Sequence, residues 1–244
     1  MAIPKIEYPT HNIFLHSLDR NVKFRPFLVK EEKILLIAKE SKDPEEIRNA
    51  VIQIIANCTA EPIEIDKLPI FDIEMIFLKL RARSVGESVK LQFHCQNQVS
   101  EDSNGDPIFC NSDTDYVLDL EKVKYEIPEG HDNKVMITDK IGVKLKYPTL
   151  TSAVKEEKDE IETMINMVAD NVEYVFDEES VTKPADMQPN ELISFLDTLT
   201  VEALERIKMF FATSPKVVLE DHVTCKKCGF EHVMHSEDLL SFFI

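Results

Sequence analysis

The sequence is poor in glycine and in basic residues. It has five glycines in 244 residues, against roughly 7% in average proteins, and no two of them lie close enough for a loop that cradles a phosphate or a dinucleotide. Rossmann enzymes and P-loop ATPases are thereby excluded. The 28 Lys and Arg are outnumbered by 45 Asp and Glu, which gives a net charge of −17. Because nucleic-acid affinity depends on basic side chains that neutralise phosphates, we expect no nucleic acid among the partners.

The sequence also lacks a long apolar run, and we expect it to have no export signal. Its longest runs, residues 34–38 and 75–78, fall far short of the about 20 residues that cross a bilayer, so we expect no membrane insertion. The N-terminal residues Met-Ala-Ile-Pro-Lys do not form the apolar stretch of a signal peptide. We therefore expect a reducing cytoplasm, where the five cysteines indicate metal or redox chemistry rather than disulfides.

Helical patterns dominate the N-terminal part of the chain. Asp43 can cap free backbone N–H groups and Pro44 suits a first helical turn. Apolar residues then recur at helical spacing as far as Cys58. Since Cys58 lies on this apolar stripe, we expect it to be a core residue. A further helix, apolar nearly all round, is predicted over residues 68–84 and should be buried on several sides.

Strand patterns follow, and the predicted fold is α+β with a helical N-terminal part, a β-rich middle and a helical C-terminal part that closes with a zinc-ribbon-like β-knuckle. Alternation predicts strands at residues 89–93 and 116–120, separated by a polar loop. One to two compact domains are expected. The predicted regions are a helical one (1–86), a β-rich one with the first Cys pair (87–148), an acidic helical one (149–214) and a Cys knuckle with a terminal helix (215–244).

Residues 151–200 carry more than half of the net charge. They hold 13 acidic residues and three lysines, a net of −10. Apolar residues between Val154 and Val168 repeat at roughly helical spacing, which predicts an acidic helix rather than a tail. Its charge has two interpretations, a solvated face or a docking face for a basic partner.

The most specific local motif is Cys225-Lys-Lys-Cys228, followed by Gly229. Two residues between thiolates let both sulfurs face one Zn²⁺ across a tight turn, but a complete structural site needs four ligands. Cys95 and Cys110 flank the polar insertion between two predicted strands, and folding that insertion out would bring them together. The sequence therefore predicts a closed zinc site made of these four cysteines.

Two alternatives to the four-cysteine site stay open. One uses Cys225 and Cys228 with His232 and His235, although the spacing between the pairs is short for one tetrahedral site. The other leaves the cysteines as metal-free core thiols. A thioredoxin-type redox pair is disfavoured, because a strand-like run follows the motif where such enzymes have a helix.

No catalytic signature is present in the sequence. It contains neither G-x-S-x-G nor H-E-x-x-H, and none of its seven histidines has a spacing that commits it to catalysis. We therefore expect a protein that is not an enzyme.

Three stretches resemble one known family. They are Phe24-Arg-Pro-Phe-Leu-Val-Lys-Glu-Glu-Lys-Ile-Leu-Leu, residues 68–87, and the Cys knuckle running into Leu239-Leu-Ser-Phe-Phe243. These stretches are similar to the baseplate hub assembly proteins of T-even-type contractile-tailed bacteriophages. The resemblance implies a non-enzymatic assembly factor, a chaperone or scaffold that binds hub proteins of the tail baseplate in the infected host cytoplasm.

Other functions stay open beside the assembly factor. A structural subunit would remain in the virion baseplate, and self-association is compatible with either role. A zinc-ribbon protein that binds nucleic acid or acts as a regulator is the third possibility. The net charge and the lack of a large basic cluster argue against it.

Overall fold

The computed structural model describes residues 6–152 and 160–236. Within them the chain forms six α-helices and thirteen β-strands. The helices are α1 (Val29–Ser41), α2 (Pro44–Cys58), α3 (Ile70–Val85), α4 (Glu160–Asn171), α5 (Glu191–Asp197) and α6 (Val201–Ala212). The strands are β1 (His11–Leu15), β2 (Arg20–Phe24), β3 (Ser88–Cys95), β4 (Gln98–Glu101), β5 (Pro107–Phe109), β6 (Ser112–Asp119), β7 (Lys124–Glu126), β8 (Lys134–Met136), β9 (Gly142–Leu145), β10 (Val172–Phe176), β11 (Val181–Thr182), β12 (Lys216–Thr224) and β13 (Glu231–Ser236).

These elements form two compact units. Of the described residues, unit 1 contains 6–65, 71–125 and 217–236, and unit 2 contains 66–70 and 126–216. All five cysteines lie in unit 1. No helix in the described part of the chain is long and apolar enough to cross a membrane.

Unit 1 is built on helices that start where local chemistry predicts. The Asp43 carboxylate accepts the N–H of Glu45 at 2.8 Å at the start of α2, so the predicted cap is confirmed. Cys58, at the other end of α2, is 1% exposed, which confirms it as a core residue. Nine of the 16 residues of α3 are buried, as its nearly uniform apolar pattern predicts.

One buried carboxylate ties α3 to its surroundings. Asp72 is 0% exposed and accepts the backbone N–H groups of His16 at 3.1 Å and Ser17 at 3.0 Å. It also accepts the hydroxyl of Tyr125 at 2.6 Å. The turn of the β1–β2 hairpin and strand β7 are therefore held against the first turn of α3 by one acceptor with three donors.

Three further strand pairs of unit 1 are antiparallel, namely β3–β6, β4–β5 and β12–β13. β3 pairs with β6 in a register that runs from Ser88 opposite Asp119 to Cys95 opposite Ser112. β12 lies between β13 and β7. β4 and β5 pair with each other, and with no other strand in the described residues.

Unit 2 combines a four-stranded sheet, in the order β11-β10-β9-β8, with α4, α5 and α6. Its core includes Val143 from the sheet, Val168 from α4 and Ile207 from α6, each 0% exposed. The hydroxyl of Thr200 accepts the N–H of Ala203 at 3.2 Å and caps α6, a position that threonine favours.

The predicted arrangement of the fold is wrong in its C-terminal part. The class is α+β, but this part is not helical, because strands β10 to β13 occupy it together with α4, α5 and α6. The helical pattern of the acidic segment ends at Asn171. The run Val172-Glu-Tyr-Val-Phe176 then pairs with β9. Because β-branched and aromatic residues favour strands, this pairing determines the structure of the run although a helix directly precedes it. The predicted terminal helix, residues 236–243, starts at Ser236, which is the last residue of β13 in the structure, and the rest of it lies outside the described residues.

Candidate metal centre

Cys95 and Cys110 are brought together by the pairing of β3 with β6. Cys95 ends β3, and Cys110 lies two residues before β6 begins. The N–H of Cys110 donates to the carbonyl of Asn97 at 2.8 Å, and the N–H of Asn111 donates to the carbonyl of Cys95 at 3.0 Å. Asn111 adopts a φ of 45°, a left-handed conformation that asparagine tolerates. The residues between the two cysteines therefore fold out of the sheet, as the sequence predicts.

Cys225 and Cys228 lie in the turn between β12 and β13. The N–H of Gly229 donates to the carbonyl of Cys225 at 2.9 Å, and the N–H of Cys225 donates to the carbonyl of Phe230 at 2.9 Å. Gly229 has a φ of 72°, which a residue without a Cβ adopts at no steric cost. This backbone path turns both sulfurs to the same side.

The four sulfurs form one cluster. All four Sγ atoms lie within 4.8 Å of one another, with Cys95 3.7 Å from Cys228 and Cys110 3.7 Å from Cys225. Sulfurs at about 2.3 Å from a central Zn²⁺ in a regular tetrahedron would be about 3.8 Å apart. The separations therefore suit a single tetrahedral ion and are too long for disulfide bonds. An iron–sulfur cluster would set the thiolates further apart, because it places several atoms between them.

The sulfur cluster, meaning Cys95, Cys110, Cys225 and Cys228, is shielded from solvent. Three of the cysteines are at most 2% exposed, and Cys228 is half-buried. Phe93 is the partly buried apolar neighbour packed against them. Four thiols held in this way could fill all positions of a tetrahedral ion, which is typical of a structural site rather than a catalytic one.

The metal-free thiols differ in acidity. Burial, with neighbouring thiols, raises the pKa of Cys110 to about 12, and burial also raises the pKa of Cys95. At Cys225 the backbone N–H of Cys228 donates to the sulfur and lowers the pKa to about 6. The knuckle turn thus favours the thiolate form of Cys225, whereas Cys95 and Cys110 would release protons on binding a metal.

One polar side chain beside the sulfur cluster, His232, belongs to the alternative zinc site that combines two histidines with Cys225 and Cys228. His232 Nε2 lies 3.1 Å from Cys95 Sγ, and the His232 ring packs between Phe93 and Phe230, with centroids 4.8 and 4.7 Å away. In the described residues the four cysteines are the only cluster of potential metal ligands. The side chain of His235 lies outside what the structure describes. His232 is thus placed to donate a hydrogen bond to a cysteine sulfur.

Two residues near the sulfur cluster were not singled out by sequence reasoning. Asn97 Nδ2 lies 3.8 Å from Cys228 Sγ, and Lys227 Nζ donates to the carbonyl of Cys110 at 2.9 Å. Each follows a cysteine by two residues, Asn97 after Cys95 and Lys227 after Cys225. This position inside a knuckle turn is the signal that could have identified them.

The fold and the sulfur cluster together define a class, an α+β protein with a buried four-thiol cluster that is compatible with a metal site. A family described as T4 bacteriophage base plate protein matches residues 8–244. The chain belongs to this family, which confirms the predicted resemblance at the level of a T4-type phage baseplate protein. No curated protein and no solved structure matches the chain.

Membership in the family fixes the setting of the protein in general terms. A baseplate protein works in the infected cell or in the phage virion, and its family suggests contacts with other baseplate proteins. The chain is therefore a T4-type phage baseplate protein.

Proposed function

We propose that this chain is a non-enzymatic assembly factor of the baseplate hub, which binds hub subunits while the virion is built. The observation that carries the proposal is the match to the base plate family over residues 8–244. The proposed role is that of a chaperone or scaffold made late in infection, in the host cytoplasm.

The proposed mechanism is steric and electrostatic. Residues 151–200 hold an excess of ten negative charges, and β11, at the edge of its sheet, exposes 60% of Val181 within this segment. An exposed apolar edge rimmed by carboxylates suits a partner that is apolar at its centre and basic around it. Such a surface would hold a hub subunit until a neighbouring subunit replaces it.

We further propose that Cys95, Cys110, Cys225 and Cys228 hold one structural zinc ion. The donor set of four thiolates supports zinc, since thiolates in tetrahedral geometry suit this ion. The bound ion would supply no chemistry to a substrate. It would fasten the middle of the chain to its C-terminal strands.

Quantitative mass spectrometry separates an assembly factor from a structural subunit. We expect the protein to be abundant in infected cells during tail assembly and absent from purified virions. A fixed number of copies in every purified baseplate would reject the assembly factor in favour of a retained subunit.

Elemental analysis tests the zinc proposal. We expect one zinc per chain in protein purified without chelator, and loss of that zinc in Cys225→Ser. Cys58→Ser is the matched control, because Cys58 is buried in α2 and does not belong to the sulfur cluster. Metal-free wild-type protein, or loss of zinc from the control variant, would reject the site.

A further inference from the structure

The residues between Cys95 and Cys110 form a hairpin that the proposed function has not yet used. β4 and β5 pair with each other, and within the described residues neither has a second strand beside it. All twelve residues from 98 to 109 are exposed, whereas the two flanking cysteines are buried. We call residues 98–109 the hairpin arm.

Three apolar side chains on the hairpin arm are exposed. Val99 is 49% exposed, Ile108 43% and Phe109 45%. Since side chains alternate across a strand, Ile108 and Phe109 point to opposite faces of the hairpin. An isolated two-stranded hairpin is marginally stable in water and gains nothing from exposing such side chains. Apolar groups on both faces suit an arm that enters a cleft rather than one that lies on a flat surface.

The hairpin arm is fixed at its base. Cys95 and Cys110 belong to the sulfur cluster, and backbone hydrogen bonds join the two ends of the arm at Asn97 and Asn111. A fixed base lowers the entropy that an arm loses on binding, because its direction is set before the partner arrives. The exposed arm is therefore pre-organised for recognition.

The charge of the hairpin arm indicates which kind of partner it would bind. The arm carries Glu101, Asp102 and Asp106 and has no lysine or arginine. In the described part of the chain these carboxylates form no ion pair, and the N–H groups of Asp106 and Asn104 hold Asp102 in its turn. Nucleic acid would repel such an arm. A second copy of the chain, with its net charge of −17, would also repel it.

We infer that the hairpin arm inserts into an apolar cleft, lined at its far end by lysine or arginine, on another protein of the baseplate. Ile108 and Phe109 would cover the cleft walls, and the acidic turn would reach the basic end. The inference rests on the proposed function, because it names a second surface, besides the acidic segment of residues 151–200, through which the chain would bind a baseplate partner.

Binding of the full-length chain to each purified hub protein of the same phage, measured by biolayer interferometry, tests the inference. We expect Ile108→Ser combined with Phe109→Ser to weaken the wild-type complex by about tenfold or more, as for central interface residues. Glu101→Gln with Asp106→Asn keeps the side-chain shapes and removes two charges. This pair should slow association and reduce the dependence of binding on salt.

The matched control is Leu36→Ser combined with Ile37→Ser on α1. These residues are 55% and 66% exposed, so the control removes as much exposed apolar surface from another part of unit 1. We expect it to bind like wild type, and all variants to keep their zinc.

Undiminished binding by both hairpin variants, or an equal loss in the α1 control, would overturn the inference and leave the proposed function standing. If the wild-type chain binds none of the hub proteins, at low and at physiological salt, the inference and the proposed function fail together.

Discussion

Chelation of the proposed zinc ion should lower the melting temperature strongly. The ion would join Cys110 to Cys225, 115 residues away, and Cys95 to Cys228, 133 residues away. Closing one loop of this length removes unfolded-state entropy equivalent to about 5 kcal/mol at 25 °C. In a chain of 244 residues, each kcal/mol shifts the melting temperature by about 2–4 °C, so we expect a decrease of about 10–20 °C.

Circular dichroism is a suitable readout, since the chain has no tryptophan for fluorescence. The melting curve is recorded as purified, after removal of zinc by EDTA, and after zinc is restored. Cys58→Ala should be somewhat less stable than wild type, yet show the same decrease on chelation, because Cys58 lies outside the sulfur cluster. Cys110→Ser should no longer respond to chelator. An unchanged melting temperature after verified loss of zinc would refute the cross-link argument.

Three further substitutions are assayed by urea unfolding. Tyr125→Phe removes the hydroxyl that donates to the buried carboxylate of Asp72, and should lower the free energy of unfolding by about 1.5–3 kcal/mol. Thr200→Ala removes the cap of α6; we expect a loss of about 0.5–2 kcal/mol, restored largely by serine at this position. The hydrogen bond from Lys122 lowers the pKa of Asp221 to about 2, so folding stabilises its ionised form. Asp221→Asn should therefore cost roughly 1–2 kcal/mol at pH 7, allowing for solvent screening. This difference should persist above about pH 4, the ordinary range of the group, and shrink as the pH falls further. An equal cost at every pH would contradict the assigned cause.

Helix starts were predictable because the groups that determine them act within a single turn. Asp43 and Thr200 cap α2 and α6 as their sequence positions indicate. β10 was not predictable in the same way. Its five residues follow α4 directly and lie in acidic sequence, and they become a strand by pairing with β9, which comes much earlier in the chain. A local pattern does not contain that partner.

The members of the sulfur cluster could be selected from residue type and spacing, because two residues between Cys225 and Cys228 restrict the turn that joins them. The hairpin arm could not be predicted, and residues 96–115 were expected to be a loop. The sequence Gln98-Val-Ser-Glu101 lacks an apolar alternation. Cys95 and Cys110 hold the ends of the arm together, so its pairing depends on contacts that its own residues do not encode.

The sulfur cluster lies where the β3–β6 pair meets the turn between β12 and β13. β12 buries Val217, Val218 and Leu219 near its start, whereas at the cysteine end Phe93 and Cys228 pack against three buried cysteines. Metal–thiolate bonds from four side chains would add stability at this end. Because the support would come from its base, the hairpin arm would not need to bury its own apolar residues in order to fold. The proposed zinc site and the proposed docking arm are thus linked physically, since fixing the base by metal leaves both faces of the arm available to a partner.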